Sequence, residues 1–342
     1  MHHRIEQRID HLVALAGKMK DNELLEAVIN RTATINPFFT TDFTHAALRA
    51  ITEEMLDGQK LRTWLSAYDL PGQDPLARVG IIMAGNIPLV GFHDFLCVYM
   101  MGNPMQVKLS GKDDLLFPVV FDMLCKLDTA LPGRAQIVEK LQDYDAVIAT
   151  GSNNSYRYFE YYFRDKPKVL RKNRNSVAIL TGRESDAELT ALADDIFMYF
   201  GFGCRNVSKL YVPDDYDMTR LFPHFDRYQW MFHHTKYMNN YDYNRTILLL
   251  NKTPHLANEI LMIQEQAAIA SPVSMLYYER YSDIGRLNQE IARHIEQIQC
   301  VVGGDEVRPL LDIDVMPFGT AQKPSLVDYA DGVDILTFLK SL

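Results

Sequence analysis

Apolar residues recur at helical spacing through the first seventy or so positions, as in IEQRIDHLVALAGKM (5–19) and TTDFTHAALRAITEEML (40–56). The second stretch opens with Thr and Asp, both capping candidates. The rhythm then changes. Residues 78–84, within ARVGIIMA, form a short apolar run suited to a buried strand and are followed by the turn GNIP. FHDFLCVYMMG reads as a helix, MQVKLS as a second strand, PVVFDMLCKL as a helix and DAVIATG (145–151) as a third strand. VAIL (177–180) and SKLYVP (208–213) continue as strands around a helix at 186–200. Beyond an aromatic-polar stretch the pattern predicts strands at TILLL, VSMLYYE and CVV, with helices at 255–268 and 284–299 between them. A Gly-Pro loop and a short helix close residues 316–342. Strands alternating with helices imply βαβ units and a mainly parallel sheet, hence an α/β protein.

With 342 residues, 47% of them hydrophobic and 23% charged, the chain can form about two ordinary domains, each with its own core. The charged stretch RKNRNS (171–176) is the natural boundary. No apolar run approaches the roughly 20 residues that span a bilayer. MHHRIEQRID lacks the apolar stretch of a secretory signal, so a cytoplasmic location is expected. A net charge of −9 argues against a general nucleic-acid surface, while a small anionic ligand needs only a local basic patch.

The four cysteines, Cys97, Cys125, Cys204 and Cys300, have neither the paired spacing of a zinc site nor the density of a disulfide scaffold, and no metal is expected. Cys97 and Cys125 lie in apolar helical contexts and Cys300 where helix runs into strand, so each reads as a packed small hydrophobe. Cys204 follows two glycines in a loop leading to a strand. That setting lets a ligand approach closely and suits a nucleophile, with a packed thiol as the competing reading. In DAVIATGSNNSYRYFE (145–160), Gly151 allows a sharp turn, and the N–H groups from Ser152 open a helix whose positive end attracts phosphate. An ordinary βα turn competes there, because the three-glycine dinucleotide fingerprint is absent. GNPMQVKLSGK (102–112) sets Lys108 at the end of a strand, where nucleotides bind in open α/β sheets, and Lys112 four residues later. Solvated lysines are the plain alternative.

Taken in order, these segments resemble the aldehyde dehydrogenase superfamily, and most closely its acyl-CoA reductase branch, the reductase component of bacterial luminescence fatty-acid systems. The resemblance covers residues 78–338, roughly three quarters of the chain. AGNIPLVG (84–91) is similar to the Pro-Trp-Asn-x-Pro segment, which gives Asn86 the oxyanion role. GNPMQVKLS is similar to the Val-Lys-Pro segment, which gives Lys108 the adenosine ribose, with Ser110 and Lys112 in the same cofactor loop. ATGS (149–152) resembles the Phe-Thr-Gly-Ser turn, assigning the pyrophosphate to Gly151 and Ser152. FGFGCRNVSKLYV resembles the Gly-Gln-x-Cys segment and places the nucleophile on Cys204. ASPVSMLYYE resembles Phe-Gly-Pro-Val, and MPFGTAQ (316–322) resembles Pro-Phe-Gly-Gly, which sets Phe318 near the nicotinamide.

The resemblance implies a Rossmann-type cofactor domain over 1–172, a catalytic α/β domain over 173–315, and a segment 316–342 packing back between them. It further implies NAD(P)H-dependent reduction of an acyl-CoA thioester, with a long-chain acyl group, to an aldehyde through an acyl-enzyme on Cys204. Two departures matter. Where hydrolytic relatives carry the Glu that activates water, this chain has Arg171-Lys172-Asn173-Arg174-Asn175, which favours reduction over hydrolysis. The Glu that holds the nicotinamide ribose aligns with Ala268, and Glu265, one helical turn away, is the substitute. Gly111 stands where NAD-preferring relatives often carry Glu, which favours NADPH over NADH. Arg171, Lys172 and Arg174 are candidates for an adenosine 3′-phosphate. The aromatic stretch 228–243 suits an acyl channel or, more ordinarily, an interface between identical subunits. Reduction of an acyl phosphate or acyl-protein thioester, and a non-catalytic nucleotide-binding scaffold, are the alternatives.

Overall fold

The computed structural model describes the chain except residues 1, 2 and 71 and the side chain of residue 153. It forms two compact units, Met1–Asn173 with Pro324–Leu342, and Arg174–Lys323.

The first unit opens with four helices: α1 (His3–Met19), α2 (Glu23–Ile35), α3 (Thr41–Ala50) and α4 (Gly58–Ser66). The apolar stripe of α1 (Ile5, Ile9, Leu12, Leu15, Met19) is buried. Asn22, Thr40 and Asp57 each accept an N–H of the helix they precede, satisfying donors that the first turn leaves open. Then come β1 (Val79–Ile82), α5 (Phe92–Met101), β2 (Met105–Lys108), α6 (Leu116–Leu127), β3 (Ala135–Ile137), β4 (Ala146–Thr150), α7 (Asn153–Tyr162) and β5 (Lys168–Arg171). The strands form one parallel sheet in the order β3-β2-β1-β4-β5. Val79, Ile81, Val107 and Ile148 are fully buried in it, as expected for a sheet covered on both faces.

The second unit contains β6 (Asn175–Ile179), α8 (Asp186–Phe197), β7 (Val207–Pro213), a long 3₁₀ segment (Met218–His233), α9 (Thr235–Leu250), β8 (Leu256–Ala257), β9 (Met262–Glu265), β10 (Met275–Tyr281), α10 (Ile284–Arg293), β11 (Ile298–Gly303) and β12 (Val315–Met316). Its sheet order is β12-β11-β6-β7-β10-β9-β8, parallel except for the β8–β9 pair.

Two sequence expectations are corrected here. TILLL is the last turn of α9, not a strand: Leu248 is buried, while Leu249 and Leu250 are exposed. The helix expected at 255–268 is instead the β8–β9 hairpin, because Ile260, Leu261, Met262 and Ile263 are all buried in succession. Glu265 therefore ends a strand, where it accepts the Tyr278 hydroxyl at 3.3 Å, and is not one helical turn from Ala268.

The chain returns to the first unit at Pro324 and ends in α11 (Ile335–Lys340), which packs on α5. Tyr329 of this returning segment accepts the Trp64 indole N–H at 2.7 Å, and the Leu326 carbonyl lies 3.0 Å from His93 Nε2. Residues 316–342 are thus divided: 316–323 belong to the second unit and 324–342 to the first.

Candidate active site

In the first unit, Lys108 ends β2, and Asn86, Ser110, Lys112, Gly151 and Ser152 follow the carboxyl ends of β1, β2 and β4, three adjacent strands. The connections from β1 run first to β2 and then, after β3, to β4 on its other side, which makes the β1/β4 crevice the switch point where open α/β sheets take ligands. Gly85 brings the loops after β1 and β2 together: a Cβ there would lie 2.6 Å from the Ser110 side chain. Ser110 accepts the Asp113 N–H on its carbonyl at 3.0 Å and the Lys112 N–H on Oγ at 3.3 Å. Asp113 Oδ2 in turn accepts the N–H of Leu89, at 2.7 Å, in the loop that carries Asn86. Leu89 has φ 54°, a left-handed conformation that this hydrogen bond helps to hold. Burial pushes the Asp113 carboxyl up to about 6, against the Leu89 N–H.

The Asn86 side chain is exposed, Lys108 is half-buried, and Lys112 is exposed. Among the described residues neither lysine ammonium lies within ion-pair distance of a carboxylate. Gly111 is exposed, with no atom within 4 Å of a Cβ placed on it. At Gly151, by contrast, a Cβ would stand 2.8 Å from the Phe159 ring and 2.9 Å from the Ser155 Cβ, so only glycine allows β4 to turn this closely into α7. Ser152 caps that helix, its Oγ accepting the Ser155 N–H at 3.2 Å.

Of the basic residues expected to suit an adenosine 3′-phosphate, Arg171 at the end of β5 is the one taken up inside the fold. Arg171 is buried and its guanidinium donates to Asp94 Oδ2 at 2.5 Å. Lys172 Nζ lies 4.5 Å from the centre of the Tyr156 ring, and Arg174 donates to the carbonyls of Ile295 and Ile298, both at 3.2 Å.

In the second unit, Cys204 is half-buried in the turn between α8 and β7. Three left-handed residues precede it: Tyr199 (φ 53°), Phe200 (φ 56°) and Gly201 (φ 80°). The two aromatic residues each carry a backbone penalty of about 1–2 kcal/mol. Phe200 is buried against Trp230, His234 (ring centres 4.4 Å apart) and Tyr237, which offsets that penalty. Ser176 Oγ donates to the Cys204 carbonyl at 3.1 Å, and Asn206 fastens the far side of the turn through its amide to the carbonyls of Asp195 and Ile196. Burial raises the other three thiols: Cys97 well above its usual value with Asp94 adding, Cys125 less strongly, and Cys300 to about 11. Phe318 is buried in the loop after β12, where Asp195 accepts the N–H groups of Gly319 and Ala321. Sequence reasoning missed Asp113, Ser176, Asp195 and Asn206. For Asp195 a signal existed, since it lies at helical spacing from Leu192 and beside Ile196 on the buried face of α8.

A family model described as acyl-CoA reductase (LuxC) matches residues 18–222. The chain belongs to the LuxC acyl-CoA reductase family. That match includes Asn86, Lys108, Gly151 and the whole Cys204 turn. No curated protein sequence matches it. Among solved structures it is similar to the aldehyde dehydrogenase KauB from Pseudomonas aeruginosa, with TM-score 0.66 and 13% identity over 90% of this chain and 73% of that one. An acetylating aldehyde dehydrogenase from Geobacillus thermoglucosidasius gives TM-score 0.64 and 10% identity over 98% and 89%. The NADP-dependent glyceraldehyde-3-phosphate dehydrogenase from Bacillus halodurans, solved with NADP, gives 0.64 and 14% over 91% and 77%. The fold is that of the aldehyde dehydrogenases, and this LuxC-family chain is an oxidoreductase acting on acyl or aldehyde groups.

Proposed function

We propose that this reductase converts a long-chain acyl-CoA thioester to the aldehyde with NADPH, through an acyl-enzyme on Cys204. The observation that carries the reading is the turn built around Cys204 inside the matched family segment, while burial raises the Cys97, Cys125 and Cys300 thiols. Cys204 Sγ attacks the thioester carbonyl, and the carbon–sulfur bond to CoA breaks with CoA leaving as its thiolate. A nicotinamide cofactor, for which Lys108, Gly151, Ser152 and Phe318 are the proposed binding residues, would supply the hydride that reduces the Cys204 thioester. The resulting thiohemiacetal collapses, releasing the aldehyde and restoring the Cys204 thiolate. Each tetrahedral species carries an oxyanion, for which the Asn86 amide and the Cys204 backbone N–H are the proposed donors.

The first unit's residues fit a dinucleotide. The Gly151 turn has no room for a side chain, Ser152 opens a ten-residue helix, and Lys108 stands at a strand end of the same crevice. Gly111 leaves open space where a carboxylate would repel a 2′-phosphate, and Lys108 and Lys112 supply the charge that favours NADPH. The stretch 171–175 offers no carboxylate to activate water, and its Arg171 is already engaged by Asp94. Cys204→Ser is expected to abolish aldehyde formation and to leave no thioester-linked label after incubation with radiolabelled acyl-CoA. Full labelling of that variant through another cysteine would overturn the assignment.

A further inference from the structure

A cleft of about 470 Å³ lies between α10 and one face of the second sheet, built entirely from residues of the second unit. Leu287 and Ile291 bury the apolar side of α10 in the core that includes Tyr211, and the helical period then sets Arg286, Gln289 and Glu290 along the cleft. Tyr211 of β7 and Glu279 of β10, partners in the parallel register, line its sheet side. Cys204 precedes the amino end of β7, whereas Tyr211 lies toward its carboxyl end. The cleft is therefore separate from the turn that holds the proposed nucleophile.

The polar groups of the cleft are unequally engaged. Arg293 pairs with Glu290 at 2.9 Å, and Arg280 donates to the carbonyls of Pro213, Asp214 and Tyr216. Glu279 Oε2 accepts the Lys209 ammonium at 2.5 Å. The Arg286 guanidinium and the Gln289 amide, by contrast, have no hydrogen-bond or ion-pair partner among the described residues. Tyr211 is 1% exposed, and its hydroxyl is buried with no hydrogen-bond partner. Phenylalanine would fill that space without stranding a polar group, so the hydroxyl points to a partner that the fold itself does not supply. Burial, with the charges of Glu279 and Glu290, raises the Tyr211 pKa, which keeps the hydroxyl a donor.

We propose that this cleft binds a small hydroxylated monocarboxylate, a sugar acid in chemical class, with its carboxylate on Arg286 and a chain hydroxyl on Tyr211. A guanidinium fork matches the two oxygens of a carboxylate. One uncommitted cation, with Glu279, Glu290 and Asp283 also lining the cleft, favours a single negative charge and opposes a dianion. A hydroxyl can accept from Tyr211 and donate to Glu279, which an apolar tail cannot do. The volume falls within the range of about 300–1,000 Å³ usual for small-ligand sites.

Calorimetric titration of the full chain with D-gluconate tests the site, with glucose (no charge) and glucose phosphate (a dianion) as the contrasting probes. Gluconate is expected to bind with a Kd of about 1 mM or tighter, and each of the others at least about tenfold more weakly. Arg286→Gln should weaken gluconate by about 10-fold to 100-fold, and Tyr211→Phe by about 3-fold to 10-fold. Absence of gluconate binding up to about 10 mM overturns the proposal and leaves the cleft to solvent. Equal binding of the three probes, or gluconate binding unchanged in both variants, overturns it as well. Tyr211→Phe carries a second readout that needs no ligand. With no internal partner for the hydroxyl, the variant should melt no lower than the wild type; a lower midpoint reveals an internal partner and refutes the assignment.

Discussion

Replacing Asp94 by Asn tests the buried pair that closes the carboxyl end of β5. The two side chains are 8% and 5% exposed, and the Arg171 Nε and second terminal nitrogen have no hydrogen-bond partner, so Asp94 is the group that compensates the guanidinium. Burial acts to lower the Arg171 pKa, and Asp94, with Asp331 and Cys97 adding, more than reverses this, keeping the charge in place. Removing one partner of such a pair costs about 3–5 kcal/mol, and because Asn still offers one acceptor the lower end, about 3 kcal/mol, is expected. For a unit of this size each kcal/mol shifts the melting midpoint by about 2–4 °C, so Asp94→Asn should melt about 6–12 °C lower. The double variant Asp94→Leu with Arg171→Met removes both charges and should recover most of that loss. Calorimetry on the wild type, Asp94→Leu, Arg171→Met and the double completes the cycle. A loss under about 1 kcal/mol in Asp94→Asn, or a double whose loss equals the sum of its singles, would show that the pair does not act as a unit.

Asn86→Ala should lower kcat by about 100-fold to 1,000-fold with an unchanged melting midpoint; a raised KM with unchanged kcat would confine Asn86 to substrate positioning. Gly111→Glu has the space for its side chain and should lower kcat/KM for NADPH far more than for NADH, and equal losses for the two cofactors would move the 2′-phosphate elsewhere. Asp113 is raised in the fold to about 6 from 3.8, so its contribution to stability is complete below about pH 4 and is lost as pH rises through about 6. Asp113→Asn, which can still accept the Leu89 N–H, should flatten that part of the stability profile measured by urea unfolding from pH 4 to 7; an unaltered slope excludes Asp113 as its source.

The strands of the first unit could be read from the sequence wherever they lie inside the sheet. β1, β2 and β4 are short apolar runs between helical patterns, as a strand covered on both faces requires. Edge strands β3 and β5 escaped because AQI and KVLR bury only alternate or single positions and are too short to show a period. At TILLL local apolarity misled, since a run of five apolar-rich residues cannot distinguish strand from helix, and the aromatic and polar residues from Thr235 onward settle it as helix. At 255–268 helix-forming residues lost to tertiary burial beside β10. Cys204 was legible through its glycines, and Gly151 through its place after a strand. The residues that hold those turns were not, because Asp195, Asn206, Ser176 and Asp113 gain their meaning from partners 10 to 126 positions away or from a single N–H in another loop.

The return of residues 324–342 to the first unit has a consequence for synthesis on the ribosome. Leu326, Ile335, Leu336 and Leu339 are part of the same core as α1, α5 and β1, yet they are made after all of Arg174–Lys323. At about 5–20 residues per second, roughly 8–30 s of translation separate the first part of that core from its completion. Through that interval the nascent first unit lacks the segment that covers Trp64 and packs on α5, and at its end the second unit, contiguous in the chain, has all its strands. The second unit can thus be completed on the ribosome before the core of the first has its last segment.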